Sequence, residues 1–188
     1  ILQLALIKLG IDPNKEVSFL QIGNPSVVLV AVQAGKIDAG LGDVENAYAA
    51  KKLALHVLAE IRELGIEYLA NDIVSRRGFV ERNEKLVRGV MKSLVEAIHY
   101  FIATPKPSLE ILSKYLGSDA AALKTSYDYF AKGGFQSKPY VSIRGINAVL
   151  EHIAATNPKA KDAKPEQFYD SRFVKELDQS GYIDSLYR

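Results

Sequence analysis

Apolar positions in the first third of the chain switch repeatedly between helical and alternating spacing. Helical spacing covers Ile1–Leu9, Pro25–Ala34 and Val44–Lys52, and strand-like runs cover Val17–Ile22, Ile37–Leu41, His56–Ile61 and Tyr68–Ser75. Connections are short and carry turn residues: Gly10 after a helix, Asp12-Pro13 as a turn opener, Gly23-Asn24-Pro25 before a helix and Gly35 after it. Alternating elements with short loops predict an α/β arrangement, a parallel or mixed sheet flanked by helices.

Beyond about Arg76 the strand signal stops. The clearest helix runs Glu84–Ala103, where Val87, Val90, Met91, Leu94, Val95, Ile98, Phe101 and Ile102 recur at i, i+3, i+4 and i+7 spacing. Asn83 is its expected N-cap, and Pro105 and Pro107 are expected to stop it. Further helices are expected over Ser108–Leu116, Asp119–Phe130, Ser142–Asn157 and Ser171–Ser180, with Asn157–Pro165 as a polar loop.

The size, 188 residues, suits one domain or two small lobes. With 24 Lys plus Arg against 22 Asp plus Glu, interspersed, there is no basic stripe for a phosphate backbone, so nucleic acid is not an expected partner. The absence of cysteine removes thiolate metal sites and cysteine nucleophiles. His56, His99 and His152 lack the HxxxH or HExxH spacing of a metal site, and no GxSxG, GxxxxGK[ST] or GxGxxG motif occurs. No catalytic residue, metal ligand or cofactor is expected, and the chain does not read as an enzyme. Ile1 enters a helical pattern with no leader before it, which reads as a chain cut at its N-terminus.

Candidate binding residues lie where strand-like runs meet helix starts. Gly42-Asp43 follows Ile37–Leu41, an edge where open α/β sheets take ligands. Gly42 lets backbone approach closely, and Asp43 and Glu45 offer carboxylates to a cation or hydrogen-bond donor; equally, Asp43 suits a helix cap. Gly23-Asn24-Pro25 offers free backbone N–H groups to an anion or carbonyl, or is simply a turn.

The ordered segments LALIKLGIDPNKEVSFLQIG, VAVQAGKIDAGLGD, HVLAEIRELG, NDIVSRRGFVERNEKLVRGVMKSLVEAIHYF and AATNPKAKDAKPEQFYDSRFVKELDQSGYIDSLY span nearly the whole chain. Together they resemble the solute-binding proteins of ABC importers, in the group of nitrate, sulfonate, taurine and thiamine-precursor receptors with the type II periplasmic binding fold. The resemblance implies that residues 1–72 form most of the second α/β lobe, 73–76 a return crossover, and 77–188 the helical return to the first lobe. It implies that much of the first lobe is missing, and that this piece dimerises through its helical half or loses stability.

It further implies a cleft lined by Gly23, Asn24, Gly42, Asp43, Asn71 and Asp72, with Tyr48 beside them. The ligand would be a small polar solute and the partner a membrane permease. The location would be periplasmic or otherwise extracytoplasmic. Asp43, an acid where anion receptors carry a small or neutral residue, would favour an amine or pyrimidine-like ligand provided it does not turn into its own helix. A ligand-sensing domain of a regulator is the alternative reading of the same fold.

Overall fold

The computed structural model describes residues 1–69, 72–117 and 119–188. Ten α-helices occur among them: α1 (Leu2–Lys8), α2 (Pro25–Gln33), α3 (Val44–Lys52), α4 (Arg77–Arg82), α5 (Glu84–Ala103), α6 (Pro105–Leu116), α7 (Ala120–Tyr129), α8 (Ile143–Ala154), α9 (Arg172–Gln179) and α10 (Tyr182–Leu186). A π-turn at Phe130–Gly134 and 3-10 turns at Pro158–Ala160 and Pro165–Gln167 complete the regular structure of the described residues.

No strand or bridge occurs among the described residues, and this overturns the expected α/β class with its parallel or mixed sheet lobe. Val17–Ile22, Ile37–Leu41, His56–Ile61 and the described parts of Tyr68–Ser75 form no ladder. A run of β-branched and apolar residues encodes a surface that fits a pleated sheet, but it does not supply the neighbouring edge that completes the hydrogen bonds. Phe19, Leu20, Leu58, Ile73 and Val74 accordingly stand exposed, Val74 at 87%. Local features pull the same way. Gly40 packs directly on α2, and the third run closes into a turn in which the Glu63 and Leu64 N–H groups donate to Glu60 O.

The helices follow their caps. Asn24 Oδ1 accepts from the Ser26 and Val27 N–H groups, Asp119 Oδ1 from Ala121 and Ala122, and Ser142 Oγ from Gly145. Two boundaries differ from expectation. Asn83 stands at the N-cap position of α5, but its Nδ2 donates backwards to Phe79 O at 2.8 Å and closes α4, a helix the sequence pattern did not reveal. Pro105 opens α6, because proline at a first helical position has no N–H to leave unpaired.

The chain folds as two compact units. Residues 1–66 and 106–132 form the first. There α3 packs on α7 and α2 on α3, and the buried residues of the unit are Ala5, Ala50, Ala122, Leu123 and Tyr127 with the polar Asn46, Ser108 and Ser126. Lys52 Nζ lies 3.6 Å from Asp119 Oδ2, which joins the end of α3 to the start of α7. Residues 67–105 and 133–188 form the second unit. Here α5 presents Val95 and Ile98 to α9 and α10, which bury Phe173, Val174 and Ile183, while α8 buries Ile146. Gly145 of α8 lies against Leu69, whose Cγ and Cδ2 would sit 3.3 and 3.2 Å from an added Cβ.

Charged groups pin the second unit from outside. Lys138 Nζ sits 2.6 Å from Asp178 and 2.9 Å from Asp184, and Tyr140 Oη donates to Asp178 at 2.8 Å. The Lys138 ammonium holds the Asp178 carboxyl below the usual carboxylate range, and the two aspartates in turn raise the lysine.

Among the described residues Ala54 is the sole non-glycine with positive φ, at 56°. It follows α3 as a left-handed stop: the Leu55 N–H reaches back to Ala50 O at 2.9 Å, the bond that ends a helix in a Schellman turn. The Cβ of an L-residue costs about 1 kcal/mol in that region. We expect Ala54→Gly to raise stability by roughly 0.5 kcal/mol after the added freedom of the unfolded chain is subtracted, read as a higher urea midpoint with unchanged slope.

Candidate functional site

Gly23, Asn24, Gly42, Asp43 and Tyr48 all fall in the first unit, on the α2–α3 pair and its connection. Gly23 takes φ 120°, a conformation glycine adopts without strain, and delivers the chain into the Asn24 cap. From the end of α2 the chain returns along that helix. A Cβ on Gly40 would lie 2.1 Å from Val28 Cγ1 and 3.7 Å from Ile37 Cδ1. Val28 is one turn from Asn24, so this close approach brings the Gly42-Asp43 start of α3 back toward the start of α2. At Gly42 an added Cβ would come within 3.2 Å of Asn46 Cβ, which keeps that position small.

Asp43 turns into its own helix. Its Oδ1 accepts from Asn46 N–H at 2.8 Å and from Asn46 Nδ2 at 2.7 Å. The carboxylate is therefore a cap reinforced by a side-chain bond, and the expected preference for an amine or pyrimidine-like ligand loses its basis. Asn46, the residue that answers Asp43, is buried, and the D-x-x-N spacing was its sequence signal. Tyr48 lies on α3 with Lys52 Nζ 4.7 Å from its ring centroid, so its aromatic face is occupied by a cation of the same helix.

Asp72 is exposed and belongs to the other unit, and Asn71 lies outside the described residues. Glu45, the other carboxylate expected near Gly42, is half-buried in the first turn of α3.

Helix α7, which packs on α3, carries Ser126. The Ser126 hydroxyl is buried there without a hydrogen-bond partner. Nothing in the sequence pattern distinguished this serine, since its burial depends on how α7 is packed in the folded chain. In the second unit His99 meets Tyr187 edge-on at 4.8 Å with its Nδ1 buried and unpartnered, whereas His56 and His152 are exposed. Among the described residues no group of three His, Cys, Asp or Glu could hold a metal ion. None of the described helices is long and apolar enough to cross a membrane.

No curated protein and no solved structure matches the chain. The NMT1/THI5-like family pattern matches residues 1–108, a stretch that contains all seven candidate ligand-binding positions and both capped helix starts. That match covers more than half of the 188 residues, and the chain belongs to the NMT1/THI5-like family.

Proposed function

We propose that this chain is an extracytoplasmic solute-binding receptor that captures a small polar molecule and delivers it to the membrane permease of an ABC importer. It works as a binding protein and not as an enzyme. The observation that carries the reading is the family match over residues 1–108. Its ligand contacts are assigned to the first unit, at Gly23, Asn24 and Gly42, with Tyr48 beside them.

Chemistry at the first unit supports a polar, hydrogen-bonding ligand. At the start of α3 the Val44 N–H precedes the Asn46 N–H that Asp43 caps, and such a group suits a carbonyl, carboxylate or oxyanion; at α2 Pro25 has no N–H and the Ser26 and Val27 N–H groups already donate to Asn24 Oδ1. Glycines before both caps leave room for backbone to approach the ligand.

A thermal-shift screen of the chain against nitrate, taurine, simple sulfonates, amines and pyrimidines tests the reading. A ligand that binds only the folded state stabilises by about 2.7 kcal/mol at a concentration of 100 times its dissociation constant. We expect at least one of these solutes to give a saturable rise. Asparagine caps helices as well as aspartate does, so Asp43→Asn removes the charge while keeping the cap. Its melting curve is expected to stay unchanged, and binding to survive because Oδ1 already serves α3. A folded chain that no member of the panel stabilises would overturn the assignment.

A further inference from the structure

The chain carries sixteen lysines and eight arginines, and each marks a bond of the kind a basic-specific endoprotease cuts. Such an enzyme takes its substrate as an extended strand, with the basic side chain in a pocket that ends in a carboxylate. Most of these residues lie on helices or helical turns, where the backbone has the wrong shape. Lys15, Lys36, Arg62 and Lys161 lie in hydrogen-bonded turns. Of the three internal ones that remain, Lys138 and Lys164 each precede a proline, whose ring blocks cleavage, and Arg76 precedes Arg77.

Arg76 stands at φ −76° and ψ 137°, at the end of an extended run that includes residues 72–75. Residues 72–76 are all exposed. None of residues 72–75 hydrogen-bonds to another described residue, and the Arg76 guanidinium pairs with no carboxylate among them. Arg77 is tied instead: its Nη2 donates to Gln167 O at 3.3 Å, so Arg76 is the side chain free to enter a protease pocket. On the far side of the bond the first turn of α4 holds the backbone, where the Phe79 and Val80 N–H groups donate to Arg76 O at 2.9 and 3.1 Å. A six-residue helix is too short to hold itself, and no residue from Asp72 to Arg82 is buried. Opening that turn therefore uncovers no core, and local opening of this kind governs how fast a protease cuts a folded chain.

We propose that, independently of the receptor role, the bond between Arg76 and Arg77 is a processing site for an arginine-directed endoprotease, and that the product is a two-chain protein that stays assembled. Hydrolysis consumes one water: the amide bond breaks, a carboxylate forms on Arg76 and an amine on Arg77. Each compact unit then holds pieces of both chains. In the first, α3 from fragment 1–76 packs on α7 from fragment 77–188, with Lys52 Nζ 3.6 Å from Asp119 Oδ2. In the second, Glu67 accepts from the Ser142 hydroxyl and lies 3.4 Å from Arg144 Nη1, and Leu69 lies against Gly145.

The test treats the full 188-residue chain with limiting trypsin and reads the products by mass spectrometry. Fragments 1–76 and 77–188 are expected first, leaving a sizing column together at the volume of the uncut chain. A lysine-specific protease, dosed to match trypsin on the unfolded chain, is expected to cut the folded one about tenfold more slowly, although lysines outnumber arginines sixteen to eight. Arg76→Gln is expected to slow the first trypsin cut about tenfold with unchanged far-UV circular dichroism, because the side chain it replaces is exposed. A first cut at any other residue, a lysine-specific enzyme that keeps pace, or an Arg76→Gln chain cut as fast as its parent would overturn the site. So would a chain left whole at a dose that digests its unfolded form. Fragments that separate on the column would overturn the two-chain product.

Discussion

Ile183→Ala is expected to destabilise the second unit by about 2–5 kcal/mol, the range for truncating a fully buried aliphatic side chain. Ile183 has no exposed surface, and it lies on α10 where that short helix packs against both α5 and α9. A five-residue helix cannot hold itself. It stays in place because Gly181, at φ 75°, turns the chain sharply after α9 and brings α10 against α5, the helix that carries Val95, the other large side chain with no exposure. Removing the side chain leaves a cavity that the turn prevents α10 from collapsing into. The measurement is a urea or thermal melt, in which each kcal/mol lowers the midpoint by roughly 2–4 °C in a protein of this size. Val74→Ala is the control: that side chain is 87% exposed and its loss should cost far less. Equal losses from the two would mean that α10 is not anchored by its buried isoleucine.

Gly40→Ala is expected to cost about 1–3 kcal/mol in the first unit, as overpacking does elsewhere. The new Cβ would stand 2.1 Å from Val28 Cγ1, well inside contact distance. Valine is branched at Cβ and has little rotameric freedom on a helix, so it cannot swing aside cheaply. Either α2 or the returning segment must shift, and with it the Gly42-Asp43 start of α3. The double-mutant cycle with Val28→Ala separates this clash from a general preference for glycine. Deleting the valine methyl groups should restore much of the loss, with a coupling energy of about 1 kcal/mol or more. Simple additivity would show that the two positions do not touch.

Features encoded within a few residues were legible in the sequence. The bounds of α3 and α5 follow from apolar spacing at three and four residues, and the Asp119 and Ser142 caps from residue type at a helix start. Asp43 was legible as far as its identity went, but its orientation required Asn46, whose amide competes for the same oxygen any ligand would use. What failed depends on distant chain. Val17–Ile22 and His56–Ile61 have the composition of strands, yet a strand exists only when another edge pairs with it. Ser126 reads as an ordinary helical serine until the fold buries its hydroxyl. Asn83 sits one position from two helices at once and satisfies the earlier one, so α4 went unseen.

The run Leu53–Ala59, which includes the exposed Val57 and Leu58, has a consequence for handling the protein. It contains no carboxylate, ammonium or proline, and seven such residues are the length and composition from which stacked fibrils are seeded. Most proteins guard an unpaired stretch of this kind with a charge inside it. Here the nearest charges, Lys52 and Glu60, stand just outside its two ends. Storage concentration and salt, which screens those two flanking charges, therefore set how long the protein stays in solution, before any question of unfolding arises.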